Sequence, residues 1–335
     1  EKEETLIIGG CSSKTDILLI YIYMKKIKNN FIFFGAVHQD YVFELKNDLI
    51  KYRTNPVKHK ESYGGVAHNV ARMISNHEKV SFFSLMTDKE TINYLKRYKI
   101  DFIPLNKKIE KRYYGILLNK YKKFELGIAN TDAYEEFSKL TNLKFLNKYI
   151  VLDLNFSEKF IQSVVNQNYK KNHIIICGTS LFKIHKVQKI IKKINYLILN
   201  KEELYSLSKI RNIKKSILKI INLNPYINII VSDADKKTYG YEAPNFISFK
   251  PPIIKAVNEN GAGDVMTGTY IYYKSKDYKM NTALSLAVAA GTLYAKSKNR
   301  KINLNYKYIK KINNNIIYKS EKLKWFQKKL RWNQK

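Results

Sequence analysis

From about residue 140 onward, short and nearly uninterrupted apolar runs alternate with stretches patterned for helices. "KYIVLDLNFS" (148–157), "NHIIICGTS" (172–180) and "INIIVSDA" (227–234) are such runs. A strand that is apolar on both faces has to be covered on both faces, as in a parallel sheet with helices above and below it. "INYLILNKEELYSLSKI" (194–210) reads as a strand turning directly into a helix, and "NTALSLAVAAGTLYAKSK" (281–298) as a long buried helix. This alternation predicts an α/β fold built on a doubly wound, mostly parallel sheet. The interval from roughly 40 to 130 is richer in β-patterned sequence and predicts a small accessory sheet. Within it, "RYYGILLNKYKKFELGIAN" (112–130) alternates like a hairpin turning near "NKYKK".

Two opening stretches compete to be the first core strand. "TLIIGGCSSKTDI" (5–17) and "FIFFGAVHQDY" (31–41) both read as a buried strand, a glycine turn and an aspartate. The second is favoured, because the pattern downstream of it is continuous and regular. "GGVAHNVARMISN" (64–76) is a glycine turn opening a helix, with Val66, Val70, Met73 and Ile74 in one apolar stripe. "KVSFFSLM" (79–86) is a strand. The chain therefore divides into an N-terminal extension (1–30), one large domain (31–310) and a basic C-terminal tail or helix (311–335) carrying Trp325 and Trp332. The first residue is Glu1 rather than Met, which leaves room for a preceding segment.

The 335 residues hold 61 Lys and Arg against 28 Asp and Glu, a formal charge of +33. Such a balance raises nucleic-acid binding as one reading. Against it, Lys, Asn, Ile and Tyr are enriched together along the whole chain, and dispersed charge is usually a solvated surface. The positive field also draws anionic substrates such as a nucleoside triphosphate. The longest apolar run, "ILLIYIYM" (17–24), falls short of the roughly 18–20 residues that cross a bilayer. Two cysteines, Cys11 and Cys177, make neither a disulfide framework nor a zinc site and fit a reducing, cytoplasmic setting. The six histidines have no metal-binding spacing.

One corner carries recognisable chemistry. In "VNENGAGDVMTGTYIYY" (257–273), Gly261 and Gly263 allow a sharp turn into a helix. The unpaired N–H groups of that first turn, from Gly261, Ala262 and Gly263 onward, make an anion site. Asp264 stands where a carboxylate could take a proton from an attacking alcohol. The competing reading is a plain strand-to-helix turn with an early acidic residue. No GxxxxGK[ST] loop occurs in the chain. Other positions are also double-edged. Asp40 suits hydrogen bonding to a diol or capping of a turn. Asn69 is a sugar ligand or a surface amide. Asn200 and Glu203 are phosphate-side ligands or a capping box. Asp132 is a ligand or, better, a cap.

Taken together, "GAVHQD" (35–40), "GGVAHNVA" (64–71), "NKEE" (200–203) and "GAGD" (261–264) resemble, in order, the marks of the PfkB (ribokinase-like) family of sugar and nucleoside kinases. The resemblance spans roughly residues 31–300. "TNPVKHKESYGGVAHNVAR" (54–72), "LGIANTDAYEEFS" (126–138) and "CGTSLFK" (177–183) are most similar to segments of its pseudouridine kinase branch. The resemblance implies a ribokinase-like sheet with a β-sheet lid drawn from about 40–66 and 105–130. It implies Asp264 as catalytic base, with Gly261, Ala262 and Gly263 as the anion hole. Asp40, Gly64, Gly65 and Asn69, with Asp132, would hold the acceptor. Asn200, Glu203 and Ser232 would face the nucleotide, Glu203 reaching magnesium through water.

ATP, Mg2+ and in some members K+ are the implied cofactors. A small nucleoside or sugar is the implied partner, with a homodimer through the lid. Some relatives are fused to a pseudouridine-5′-phosphate glycosidase. The implied activity is ATP-dependent phosphorylation of the 5′-hydroxyl of pseudouridine. The alternatives are a ribose-, fructose- or adenosine-type kinase of the family and a non-catalytic RNA-binding descendant. The chain departs from the family at four places. Ser232 replaces a threonine, Ala234 and Lys237 fall where glycines are usual, Lys111 stands where a threonine is common, and Asn258, Glu259 and Asn260 precede GAGD in place of Asp-Thr-Thr.

Overall fold

The computed structural model describes residues 27–106, 108–110, 112–138, 142–257, 261–297, 309–310, 313 and 316–323. The strand-like stretch 5–17, Lys111, the residues 258–260 and both tryptophans lie outside the described residues. In chain order the strands are β1 (Phe31–Phe34), β2 (His38–Leu45), β3 (Val57–Gly64), β4 (Val80–Ser84), β5 (Ile100–Pro104), β6 (Tyr113–Leu118), β7 (Phe124–Ala129) and β8 (Tyr149–Leu152). They continue as β9 (His173–Cys177), β10 (Tyr196–Asn200), β11 (Asn228–Asp233), β12 (Lys237–Glu242), β13 (Asn245–Lys250) and β14 (Ile317–Lys322).

The large sheet runs β14-β13-β12-β11-β10-β9-β8-β1-β4-β5, and the small one runs β3-β2-β6-β7. From β11 to β5 the large sheet is parallel throughout. β1 is central, and its side chains alternate between two cores. Ile32 and Phe34 belong to one, Phe31 and Phe33 to the other, all fully buried. Burial of this kind stabilises by roughly 1.5–3 kcal/mol per large side chain. Among the described residues the "FIFF" of "FIFFGAVHQDY" is thus the strand that opens the core, and its "HQDY" begins β2 of the small sheet.

Along its far edge the mostly parallel sheet turns antiparallel. β12, β13 and β14 are antiparallel to their neighbours. Their sequences mix polar and apolar residues, so a scan for continuous apolar runs passes over them. Within the stretch read as a tail or helix, residues 317–322 instead pair along β13 as an exposed edge strand. The helices around the sheets are α1 (Val66–Ile74), α2 (Lys89–Arg97), α3 (Asp132–Glu136), α4 (Glu158–Asn168), α5 (Lys201–Ser208), α6 (Ile213–Leu223), α7 (Ala262–Lys274) and α8 (Met280–Lys296). Among the described residues no helix is long and apolar enough to cross a membrane.

Helix α1 packs directly on α7. Gly268, one turn beyond Asp264, has no side chain, and a Cβ there would come within 2.7 Å of the Met73 Cβ. Met73 in turn lies one turn beyond Asn69. The absent side chain lets the two helices approach, and their first turns meet as a consequence.

Candidate active site

After β1 the chain returns to the sheet as β4 on one side and as β8 on the other. This is a topological switch point, and ligands of open α/β sheets bind outside the strand ends at such points. Gly35 and Ala36 after β1, Asp153 after β8 and Gly178 after β9 all line up there. Asn200 and Ser232, at the ends of β10 and β11, are register partners on the same rim.

Two helices start at this rim on glycines in conformations that a side chain would strain. Gly65, before α1, has φ 113°, and Gly261, before α7, has φ 93°. The first-turn N–H groups of α7 point outward without helical acceptors. Gly263 among them is exposed, with open space where a Cβ would stand. An anion can therefore approach this backbone closely.

Asp264 is the third residue of α7. Its Oδ2 accepts a 2.7 Å hydrogen bond from the Asn69 side-chain amide. Burial pushes its carboxyl up to about 7, the Asn69 bond opposes that rise, and the Asp153, Asp40 and Glu203 carboxylates reinforce it. A carboxylate poised near neutrality has the proton affinity a general base needs. Asn69 is accordingly no free surface amide, since its side chain is committed to Asp264.

Asp40 is part of strand β2, not a turn, and sits opposite Ser62 of β3 and Tyr114 of β6. Its carboxylate packs over Gly64, where a Cβ would collide with both carboxylate oxygens. His38 Nδ1 lies 2.8 Å from Asp40 Oδ1. His68 is fully buried, and burial lowers its imidazole to about 3, so it is neutral there.

The Asn200–Glu203 pair forms a reciprocal capping box. The Asn200 side chain accepts from the Glu203 N–H at 2.9 Å, and Glu203 Oε2 accepts from the Asn200 N–H at 2.9 Å. Glu203 is buried, and that burial raises its carboxyl. Ser232 lies near the end of β11, opposite Thr238 of β12, and Ala234 in the turn between these strands has φ 45°. The position replacing the usual glycine thus still adopts a glycine-like conformation. Lys201 Nζ contacts Asp233 at 2.7 Å beside it.

Residues 34–305 match the family model described as pfkB family carbohydrate kinase. The chain belongs to the pfkB family of carbohydrate kinases. Solved structures of the same fold include a carbohydrate kinase from Agrobacterium tumefaciens (17% identity, TM-score 0.74, covering 88% of this chain and 99% of that one). A nucleoside kinase from Methanocaldococcus jannaschii is 17% identical with TM-score 0.70, covering 85% and 98% of the two chains. Arabidopsis thaliana ribokinase, solved with ribose and ATP, is 14% identical with TM-score 0.69, covering 85% and 98%. No curated protein matches the chain. As a pfkB kinase it is a sugar or nucleoside phosphotransferase with an alcohol as acceptor.

This pfkB kinase also builds its cleft from residues that sequence reading passed over. Asp153 is fully buried; its Oδ2 accepts from the N–H groups of Ala36 and Ala67 and from Asn155 Nδ2. It ties the end of β1 to the start of α1. An aspartate closing an apolar strand was the available signal, because a buried charge demands partners. Asn155 Oδ1 receives both Arg112 Nη2 and Lys183 Nζ at 2.9 Å. Asp132 is exposed at the start of α3. Tyr134 and Glu135 of the same helix turn inward instead. Tyr134 bonds Ser84 at 2.8 Å, and Glu135 bonds Lys183 at 3.1 Å and Lys186 at 2.6 Å.

Proposed function

We propose that the chain transfers the terminal phosphoryl group of ATP to the 5′-hydroxyl of pseudouridine, giving pseudouridine 5′-phosphate. The observation that carries the kinase chemistry is Asp264, raised to about 7 and held by Asn69 in the first turn of α7. In this reading Asp264 accepts the hydroxyl proton as the oxygen attacks phosphorus. The N–H groups of Gly261, Ala262 and Gly263 stabilise the charge that builds on the transferred group. Asp40, with Gly64, Gly65 and Asn69, holds the ribose hydroxyls. The small sheet that carries Asp40 acts as a lid, excluding water during transfer.

The acceptor assignment is supported by three segments similar to pseudouridine kinases. Two of them meet in the fold, where Glu135 from 126–138 pairs with Lys183 from 177–183. Magnesium suits the remaining donors. Among the described residues no group of three or more His, Cys, Asp or Glu forms a metal cage. Mg2+ keeps much of its water and is typically held through phosphates and one or two carboxylates, a role open to Glu203 with Asn200. When bound, it would neutralise phosphate charge. Ser232 and the β11–β12 turn would border the nucleotide. The residues 258–260, which bear on potassium dependence, lie outside the described residues. Leu126 and Ile128 of β7 are exposed on the small sheet, which supports a homodimer through the lid.

A steady-state screen of pseudouridine, uridine, adenosine, ribose and fructose with MgATP tests the proposal. Pseudouridine is expected to have the highest kcat/KM. Equal or better turnover of another acceptor rejects the specific assignment. Gel-shift binding of RNA at physiological salt with no turnover of any acceptor would support a non-catalytic descendant instead.

A further inference from the structure

Arg112 is a half-buried cation with no carboxylate in salt-bridge contact among the described residues. It directly precedes β6, at the root of the small sheet, and its backbone carbonyl accepts from the Gln39 N–H next to Asp40. Its guanidinium carbon lies 5.1 Å from the Tyr134 ring centroid, and Nη2 donates to Asn155 Oδ1. The Nε and Nη1 atoms are buried without a hydrogen-bond partner among the described residues. A buried cation left so is costly unless a ligand completes it.

Two of the nearby anions, Glu135 and Asp153, are already committed. Glu135 is taken by Lys183 and Lys186. Both Asp153 oxygens are taken, Oδ1 by the Asn155 N–H and Oδ2 by Ala36, Ala67 and the Asn155 amide. Two cations, Arg112 and Lys183, therefore converge on one neutral amide oxygen. The Arg112 carbonyl holds the Gln39 N–H next to Asp40, so in the kinase reading the cluster borders the acceptor side of the site.

We infer that Arg112, oriented by Asn155 and Tyr134, determines acceptor specificity by binding a carbonyl or carboxylate oxygen at the end of the acceptor remote from the phosphorylated hydroxyl. The guanidinium is suited to this because its planar, fixed donors can grip one or two oxygens at once. The inference rests on the kinase reading of the cleft. In the pseudouridine case the oxygen is a ring carbonyl of the base.

The test compares wild type with Arg112→Met, Arg112→Lys and Asn155→Asp. Acceptors are pseudouridine, a 2-keto sugar acid, and ribose and adenosine, which lack the carbonyl or carboxylate. For the best wild-type acceptor, Arg112→Met is expected to raise KM roughly ten- to hundredfold, the worth of a hydrogen bond to a charged group. Arg112→Lys should recover part of that loss. Asn155→Asp, which supplies Arg112 with an internal carboxylate, should raise KM in the same direction. The KM for ATP, and for the two Arg112 variants the melting temperature, are expected to stay at wild-type values; Asn155→Asp also puts a carboxylate where the Asn155 amide donates to Asp153 Oδ2 and is expected to melt lower.

The inference is overturned if ribose or adenosine is the best acceptor, or if both Arg112 variants keep the wild-type KM on an active enzyme. A wild-type enzyme inert on every alcohol, with ATP bound, removes the kinase reading and this inference together, and is distinguished from the first two by that inertness.

Discussion

The amide of Asn69 donates to Asp264 across 2.7 Å, joining the first turn of α1 to the first turn of α7. This bond couples the glycine turn at Gly64 and Gly65 to the group proposed to deprotonate the acceptor. It also favours the charged form of Asp264 against a burial that favours the neutral one.

Replacing Asp264 by Asn removes the base but keeps the shape. Turnover is expected to fall by about 10²–10⁴-fold, the range of general-base contributions, with KM for ATP changed far less. Steady-state kinetics on purified protein checks this, and a variant with wild-type kcat excludes Asp264 as the base.

The same carboxyl makes stability depend on pH. Its folded value, about 7, lies above the ordinary 3.8, so the folded state holds a proton that the unfolded state has released across that interval. Its contribution to stability is complete below about pH 4 and is lost as pH rises through 7. Asp264→Asn should therefore melt increasingly above wild type between about pH 4 and pH 7, with the gap levelling off above that. Thermal denaturation at several pH values reads the difference, and a constant offset would contradict it.

Activity should follow the opposite limb. Because the base must be deprotonated, wild-type kcat/KM should rise with pH and level off above about 7. Asn69→Ala removes a hydrogen bond to the charged form and should move this limb upward by roughly one pH unit. A pH–rate profile of the two proteins is the measurement; superimposable limbs would mean the bond has no effect on the base.

Gly64→Ala places a methyl group against the Asp40 carboxylate. Displacing a ligand group by even 1 Å can cost about 10²-fold, so a comparable rise in acceptor KM is expected. The folded state is expected to persist, because Gly64 ends a strand of the small sheet and not of the main core. Circular dichroism with acceptor kinetics separates the two effects.

Lys186 is buried and held by Glu135 and by the carbonyls of Leu154 and Phe156. Glu135→Ala strands that ammonium without a counter-charge. A loss of about 3 kcal/mol is expected, near the lower end for breaking a buried pair because Glu135 is itself partly exposed. Urea denaturation reports it as a lower midpoint at unchanged slope.

The sequence by itself determined the parallel sheet and the corner at 261–264. Continuous apolar strands admit few other solutions, and glycine before a helix marks a turn wherever it occurs. It also nominated Asp40, Gly64, Gly65 and Asn69, through motifs short enough to survive in one dimension. It could not separate the two readings of Asn200 and Glu203, since their capping box is local and equally consistent with a wall of the nucleotide site. It favoured a cap for Asp132 and missed its neighbours Tyr134 and Glu135, because which face of a short helix turns inward depends on what packs there. Only the tertiary structure brought Asn69 to Asp264, 195 positions away, and Arg112 to Asn155. The proton affinity of Asp264 and the unmatched charge of Arg112 arise from desolvation and from neighbours supplied by distant segments, and neither is a property of a residue in its own stretch of chain.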